Sequence, residues 1–122
     1  MVMRDIVARK LKSNDFEVLL AMEGKTGLDM ILKERPDLIV LDLMLPELDG
    51  FQILENLRSQ ADQKLAATPV VVLSNLYSNS QAQKAKSYNV QAYMVKAYYT
   101  TEEILEKIQE VLKAQETPSG AN

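Results

Sequence analysis

A carboxylate, a hydroxyl and an ammonium stand in the same local context, each at the end of a short apolar run. Asp42 follows Leu38-Ile39-Val40-Leu41, Ser74 follows Pro69-Val70-Val71-Val72-Leu73, and Lys96 follows Ala92-Tyr93-Met94-Val95. The first run lacks the alternation of a half-exposed strand and reads as a strand buried on both faces, the habit of parallel sheets covered by helices. The second is β-branched and wholly apolar. Right-handed crossovers bring the carboxyl ends of parallel strands to one edge of the sheet, and open parallel sheets carry their sites there. The three side chains are therefore expected to converge. Such a set suits phosphoryl transfer to a carboxylate. Asp42 can act as the nucleophile, giving an acyl phosphate. Lys96 offsets charge on the phosphoryl oxygens and Ser74 donates a hydrogen bond to one of them. Taken singly, each has a plainer explanation: Asp42 as a turn cap, Ser74 as a turn former, Lys96 as a structural ion-pair partner.

The elements that would position these residues can be read in order. Met3, Ile6, Val7 and Leu11 fall at helical spacings within Met1–Ser13, opposite Arg4, Arg9, Lys10 and Lys12. Ser13-Asn14-Asp15 breaks this helix, and Phe16–Ala21 reads as a strand. Gly24–Glu34 is a second helix with Leu28, Ile31 and Leu32 on its apolar face, ended by Arg35-Pro36 because a residue before proline is pushed out of the helical region. After the strand ending at Asp42, Pro46 ends regular pairing and Asp49 is the expected N-cap of a third helix marked by Phe51, Leu54 and Leu57. A polar connection from Gln60 to Thr68, with room for an extra turn, leads to the Pro69–Leu73 strand. A Ser/Asn/Gln-rich stretch precedes a weak helix near Ser80–Tyr88, and Asn89 suits a left-handed C-cap. Thr100 or Thr101 caps a final helix built on Ile104, Leu105, Ile108, Val111 and Leu112, with Thr101 and Glu102 or Glu103 forming an approximate capping box. Residues 1–113 are expected to form one domain and residues 114–122 a frayed tail. Alternating strands and helices at short spacing predict a doubly wound parallel α/β sheet.

Composition narrows the chemistry. The 122 residues fit a single core, and the net charge of −3 argues against a dedicated nucleic-acid surface. The chain has no cysteine and no histidine, which removes disulfides, thiolate and imidazole metal sites, and cysteine or serine–histidine catalysis. No apolar run approaches the ~18 residues of a membrane span, and no signal-peptide pattern opens the chain. The expectation is a cytoplasmic domain that is not an enzyme in its own right and contacts neither membrane nor nucleic acid.

The segment Asp37-Leu38-Ile39-Val40-Leu41-Asp42-Leu43-Met44-Leu45-Pro46-Glu47-Leu48-Asp49-Gly50 resembles the phosphoacceptor segment of two-component response-regulator receiver domains. The resemblance runs from the first helix to the last and implies a flavodoxin-like sheet. It matches Asp42 to the phosphoacceptor, Ser74 to the switch hydroxyl, Lys96 to the family lysine and Tyr93 to the switch aromatic. It also implies Mg²⁺ at Asp42 and the backbone carbonyl of Met44, with a histidine kinase or phosphotransfer protein as partner.

Departures from the family pattern carry consequences. A receiver opens with an apolar strand ending in an acidic pair, whereas this sequence starts at the equivalent of the first helix, so both would lie upstream of Met1. Asp5 and Asp15 fit exposed helix ends better than metal ligation. Weak Mg²⁺ binding is therefore expected, since that ion needs several oxygen ligands. The missing strand would be the middle one of the order 2-1-3-4-5. Its gap must be closed by direct pairing of Phe16–Ala21 with the Asp42 strand or by another chain. The expected outcome is a homo-oligomer, a two-fold dimer exchanging strands or the Met1–Ser13 helix. Asn75 and Ala97 stand where the family has a small residue and a proline. Beside the phosphoaccepting domain, the alternative is a phosphorylation-independent pseudo-receiver acting as an interaction or dimerisation module. A flavin-binding domain of the same fold lacks its phosphate-cradling loop here.

Overall fold

The computed structural model describes residues 9–14, 16–19, 21, 24–42, 50–74 and 79–116, apart from the side chains of Asp42, Asn79, Gln115 and Glu116. Its three strands are β1 (Ile39–Asp42), β2 (Val70–Ser74) and β3 (Ala92–Val95), parallel and in the order β1-β2-β3. Helix α1 is described over residues 9–12. The others are α2 (Gly24–Glu34), α3 (Gly50–Arg58), the single turn α4 (Gln63–Ala66), α5 (Asn79–Ser87) and α6 (Thr101–Glu116).

Burial on both faces explains why the strand sequences do not alternate in polarity. Ile39, Leu41, Val70 and Val72 face a core closed by Ile31 of α2, by Ile53, Leu54 and Leu57 of α3, and by Leu65 of α4. Val71, Leu73 and Met94 face the other way, against Ile104, Ile108 and Val111 of α6, with Leu11 and Phe16 at the margin. Each face of the sheet thus meets its own helical layer, the doubly wound arrangement. Helix α5 is attached differently. Among its described side chains only Ala82 and Ala85 are buried, and the Lys84 ammonium sits 4.5 Å from the centre of the Phe51 ring.

Local chemistry fixes the element ends. Arg35 closes α2 with a left-handed φ of 51° before Pro36, and Asn89 follows α5 at φ 60°. The Asp62 carboxylate caps α4 by accepting from the Lys64 and Leu65 N–H groups, and it also pairs with Arg35. Thr100 is the N-cap of α6. Its hydroxyl accepts from Glu103 N–H at 3.1 Å, and the Glu103 carboxylate accepts from Thr100 N–H at 2.8 Å. The capping box is therefore Thr100 with Glu103, rather than one starting at Thr101, because only that three-residue offset lets both bonds form. Lys10 of α1 pairs with Glu102 at the start of α6. Helix α6 continues to Glu116, beyond the point where the apolar pattern ends and the tail is expected.

The expected Phe16–Ala21 strand is not one: residues 16–19 and 21 are irregular and belong to no sheet. The chain turns back at the end of α1, with Phe16 N–H bonded to the Leu11 carbonyl at 3.1 Å. Phe16 and Val18 are half-buried while Glu17 and Leu19 are exposed, so the alternation seen in the sequence is present. The ladder is what is missing, since a strand exists only through its neighbour. Direct pairing with β1 is therefore not observed. At β1 itself, Ile39 N–H bonds to the Pro69 carbonyl. Ile39 and Leu41 thus aim at β2, and the alternating ladder turns Val40 N–H and C=O to the opposite edge. No strand pairs there among the described residues.

Candidate functional site

The register of the sheet sets the heights of the three strand ends. Asp42 lies level with Leu73, Leu73 level with Met94, and Ser74 level with Val95. Asp42, Ser74 and Lys96 therefore leave the same edge in a rising diagonal, each about one residue, roughly 3.3 Å, above the last. The edge is the carboxyl end of a parallel sheet, as the sequence pattern requires. Asp42 is placed as the final residue of β1. Met44, the acidic residues Asp5 and Asp15, the expected helix cap Asp49, and Asn75 lie outside the described residues.

Ser74 is 5% exposed and Lys96 7% exposed, and neither is without a partner. A lysine is almost never buried this far unless its charge is met. Lys96 opens a single 3₁₀ turn, Lys96–Tyr98, in which Ala97 and Tyr98 are exposed. Tyr93, on β3, packs its ring against the α2/α3 core, and its hydroxyl is buried with no hydrogen-bond partner among the described residues. Those residues contain no group of three or more acidic, histidine or cysteine side chains able to hold a metal ion.

Two residues that the sequence pattern did not single out tie the opposite end of the sheet. Gln91 N–H donates to the Val70 carbonyl at 2.9 Å, and the Gln91 side-chain oxygen accepts from Val70 N–H at 2.7 Å. Arg58, at the end of α3, donates from Nε to the Tyr88 carbonyl at 2.6 Å and from Nη1 to the Ala66 and Thr68 carbonyls at 2.8 and 2.7 Å. Its Nη2 donates to the Asn89 carbonyl at 3.1 Å. Burial lowers the Arg58 pKa from its usual value, and the ring of carbonyls satisfies the guanidinium. The segments entering β2 and β3 are thereby held together. The signal available in the sequence was an arginine ending an apolar helix, too common to be diagnostic.

A parallel sheet with helices on both faces, and with the strand ends at Asp42, Ser74 and Lys96 on one edge, defines a doubly wound α/β domain. Residues 1–109 match the response regulator receiver domain family. The chain belongs to that family. Among its relatives is the response regulator MprA of Mycolicibacterium vanbaalenii, 33% identical over 118 residues, which are 97% of this chain and 49% of that protein. The chain thus spans about half the length of the curated relatives it matches. Among solved structures, the BeF3-activated N-terminal receiver domain of Klebsiella pneumoniae RstA superposes with a TM-score of 0.77 at 27% identity, covering 88% of this chain and 86% of that one. The Vibrio cholerae chemotaxis protein CheY4 gives a TM-score of 0.80 at 27% identity, covering 91% and 90%. The fold is flavodoxin-like, and the domain is a phosphorelay signalling module. No helix of the described residues is long and apolar enough to cross a membrane.

Proposed function

We propose that Asp42 is the residue that takes the phosphoryl group, with Lys96 and Ser74 as its charge and hydrogen-bond partners. The observation that carries this reading is the shared edge. Ser74 and Lys96 are buried at successive levels of the carboxyl end of the sheet, on the two strands next in order to the one that Asp42 terminates. The Asp42 carboxylate attacks the phosphorus of the donor, the bond to the leaving group breaks, and an aspartyl phosphate results. The Lys96 ammonium stabilises the negative oxygens during transfer, and the Ser74 hydroxyl donates to one of them afterwards. Tyr93 responds to that change: its hydroxyl, buried without a partner among the described residues, gains hydrogen bonds by moving outward.

Receiver domains generally bind Mg²⁺ at the phosphorylation site. Asp42 and the Met44 carbonyl are the groups proposed to hold it here, and when bound the ion neutralises charge on phosphate oxygens. These two groups supply part of the oxygen shell that this ion takes. The phosphoryl donor is a histidine kinase or phosphotransfer protein. No strand pairs at the Val40 edge among the described residues, and half-buried Leu38 and Phe16 pack on the same core cluster as Val40, which supports assembly with a second copy.

A small acyl-phosphate donor, added with and without Mg²⁺ and followed by intact-mass measurement, tests the reading. One phosphoryl group per chain, gained faster with millimolar Mg²⁺ than without, is the expected result. A chain that stays unmodified under both conditions would overturn it.

A further inference from the structure

We infer that Gln91 is a positioning residue for the phosphoryl-transfer site, acting from the far end of the sheet by setting the β2–β3 register. The inference rests on the site proposed above, because register is what places Ser74 and Lys96 at neighbouring heights.

The need for such a residue follows from the strands themselves. Strand β2 begins Val70-Val71-Val72, and all three side chains are fully buried. Register is ordinarily enforced because a slip moves apolar side chains from core to solvent. In β2 a one-residue slip exchanges one buried valine for another, so that penalty is small for most of the strand. A two-residue slip would keep every face and still move the Ser74–Lys96 relationship by about 6–7 Å along the sheet, farther than hydrogen-bond reach. Packing therefore leaves the register underdetermined, and directional bonds must specify it.

Gln91 supplies them. Its main chain donates to the Val70 carbonyl and its side-chain oxygen accepts from the Val70 N–H, at 2.9 and 2.7 Å, so one residue engages both backbone groups of one partner. At a one-residue slip the backbone groups of Val71 point to β1 instead. Toward Thr68 the N–H and C=O are already taken by Leu65 and Arg58, and a shift to Val72 forfeits two of the four ladder pairs. It lies where β2 begins, immediately before β3, and the ladder then runs Val71 with Ala92 up to Ser74 with Val95. Val70 is fully buried in the intact chain, and its N–H has the glutamine oxygen as its partner. Arg58 holds the same two segments through the Thr68 and Asn89 carbonyls but leaves the strand groups themselves unengaged. Gln91 is itself exposed, so shortening it opens no core cavity.

The test compares Gln91→Ala and Gln91→Glu with the unmodified chain. The glutamate keeps an acceptor at the same reach, and the alanine removes it. The rate of Asp42 labelling by the acyl-phosphate donor is measured per folded molecule, with the folded fraction taken from urea titration. Contacts between Ser74 and Val95 backbone protons are read by nuclear Overhauser effects. Labelling at least tenfold slower in Gln91→Ala, restored to within twofold in Gln91→Glu, with Ser74–Val95 contacts weakened only in the alanine variant, is the expected result. A Gln91→Ala chain that labels at the unmodified rate per folded molecule overturns the inference, as does a glutamate variant as slow as the alanine. If the unmodified chain takes no label, the proposed site fails by itself and the Overhauser contacts decide the register alone. Their loss in Gln91→Ala then upholds it, and their retention overturns it.

Discussion

Ser74 lies directly across from Val95 in the parallel ladder, so Lys96 leaves the sheet one residue above the serine hydroxyl. Both polar side chains are buried, at successive levels of that edge, which is where charge on a phosphoryl group bound at Asp42 would need to be met. Their separate contributions can be measured. Lys96→Met keeps the apolar stem and removes the charge, and is expected to slow Asp42 labelling about a hundredfold or more. Ser74→Ala is expected to slow it about tenfold, the equivalent of one neutral hydrogen bond of about 1.4 kcal/mol, while Ser74→Thr stays near the unmodified rate. Initial rates at a fixed donor concentration, normalised to folded protein, check all three.

Arg58 should matter to stability far more than its partly exposed position suggests. Its guanidinium satisfies the carbonyls of Ala66, Thr68, Tyr88 and Asn89, which come from two separate segments. Arg58→Met leaves part-buried carbonyls without donors and should lower the unfolding free energy by about 1–3 kcal/mol. Arg58→Lys should recover only a minor part, because a compact ammonium cannot span both segments as a planar fork does. Urea unfolding with a common slope gives both values.

Much of this architecture is legible from sequence, and the illegible parts share a physical cause. The Leu38–Leu41 and Pro69–Leu73 runs announce strands buried on both faces because nothing polar interrupts them. Helix α2 falls at Gly24–Glu34, as its apolar spacing and the Arg35-Pro36 stop require, and Asn89 is left-handed as a helix terminator should be. Asp42, Ser74 and Lys96 stand at one sheet edge, as the topology of the strand ends requires. Phe16–Ala21 misleads because alternation records which side chains face inward, whereas a strand also needs a neighbour. Arg58 and Gln91 escape detection because their partners are backbone groups 8 to 31 residues away, and a backbone acceptor leaves no mark on residue type.

Asp62 gives the fold a defined acid sensitivity. The Arg35 guanidinium, together with the Leu65 and Lys64 N–H groups, holds its carboxyl below the usual carboxylate pKa of 3.8. A depressed folded pKa means that the stabilisation is fully present above the unfolded value and disappears as pH falls through the lower folded one. Asp62→Asn should therefore be less stable than the unmodified chain at about pH 6, and the gap should close on acidification below about pH 4. The pair is exposed, so the effect is modest and shrinks with added salt. Urea midpoints of the two proteins across that range check the convergence.

The Val40 edge, where no strand pairs among the described residues, predicts assembly. Strand donors and acceptors with no partner strand among the described residues, beside half-buried Leu38 and Phe16, favour a second chain over solvent. Sedimentation at about micromolar concentration is expected to show a two-fold dimer. A cooperative, well-folded monomer under those conditions would remove the dimer from the account.

The central claim is that the carboxylate ending β1 is the phosphoryl acceptor, and one comparison addresses it most directly. The unmodified chain and Asp42→Asn are treated side by side with an acyl-phosphate donor and Mg²⁺, and the modified residue is located by peptide mass mapping. A single phosphoryl group at Asp42 in the first protein and none in the second is the predicted result. Undiminished labelling of Asp42→Asn, mapped to another residue, would contradict the account.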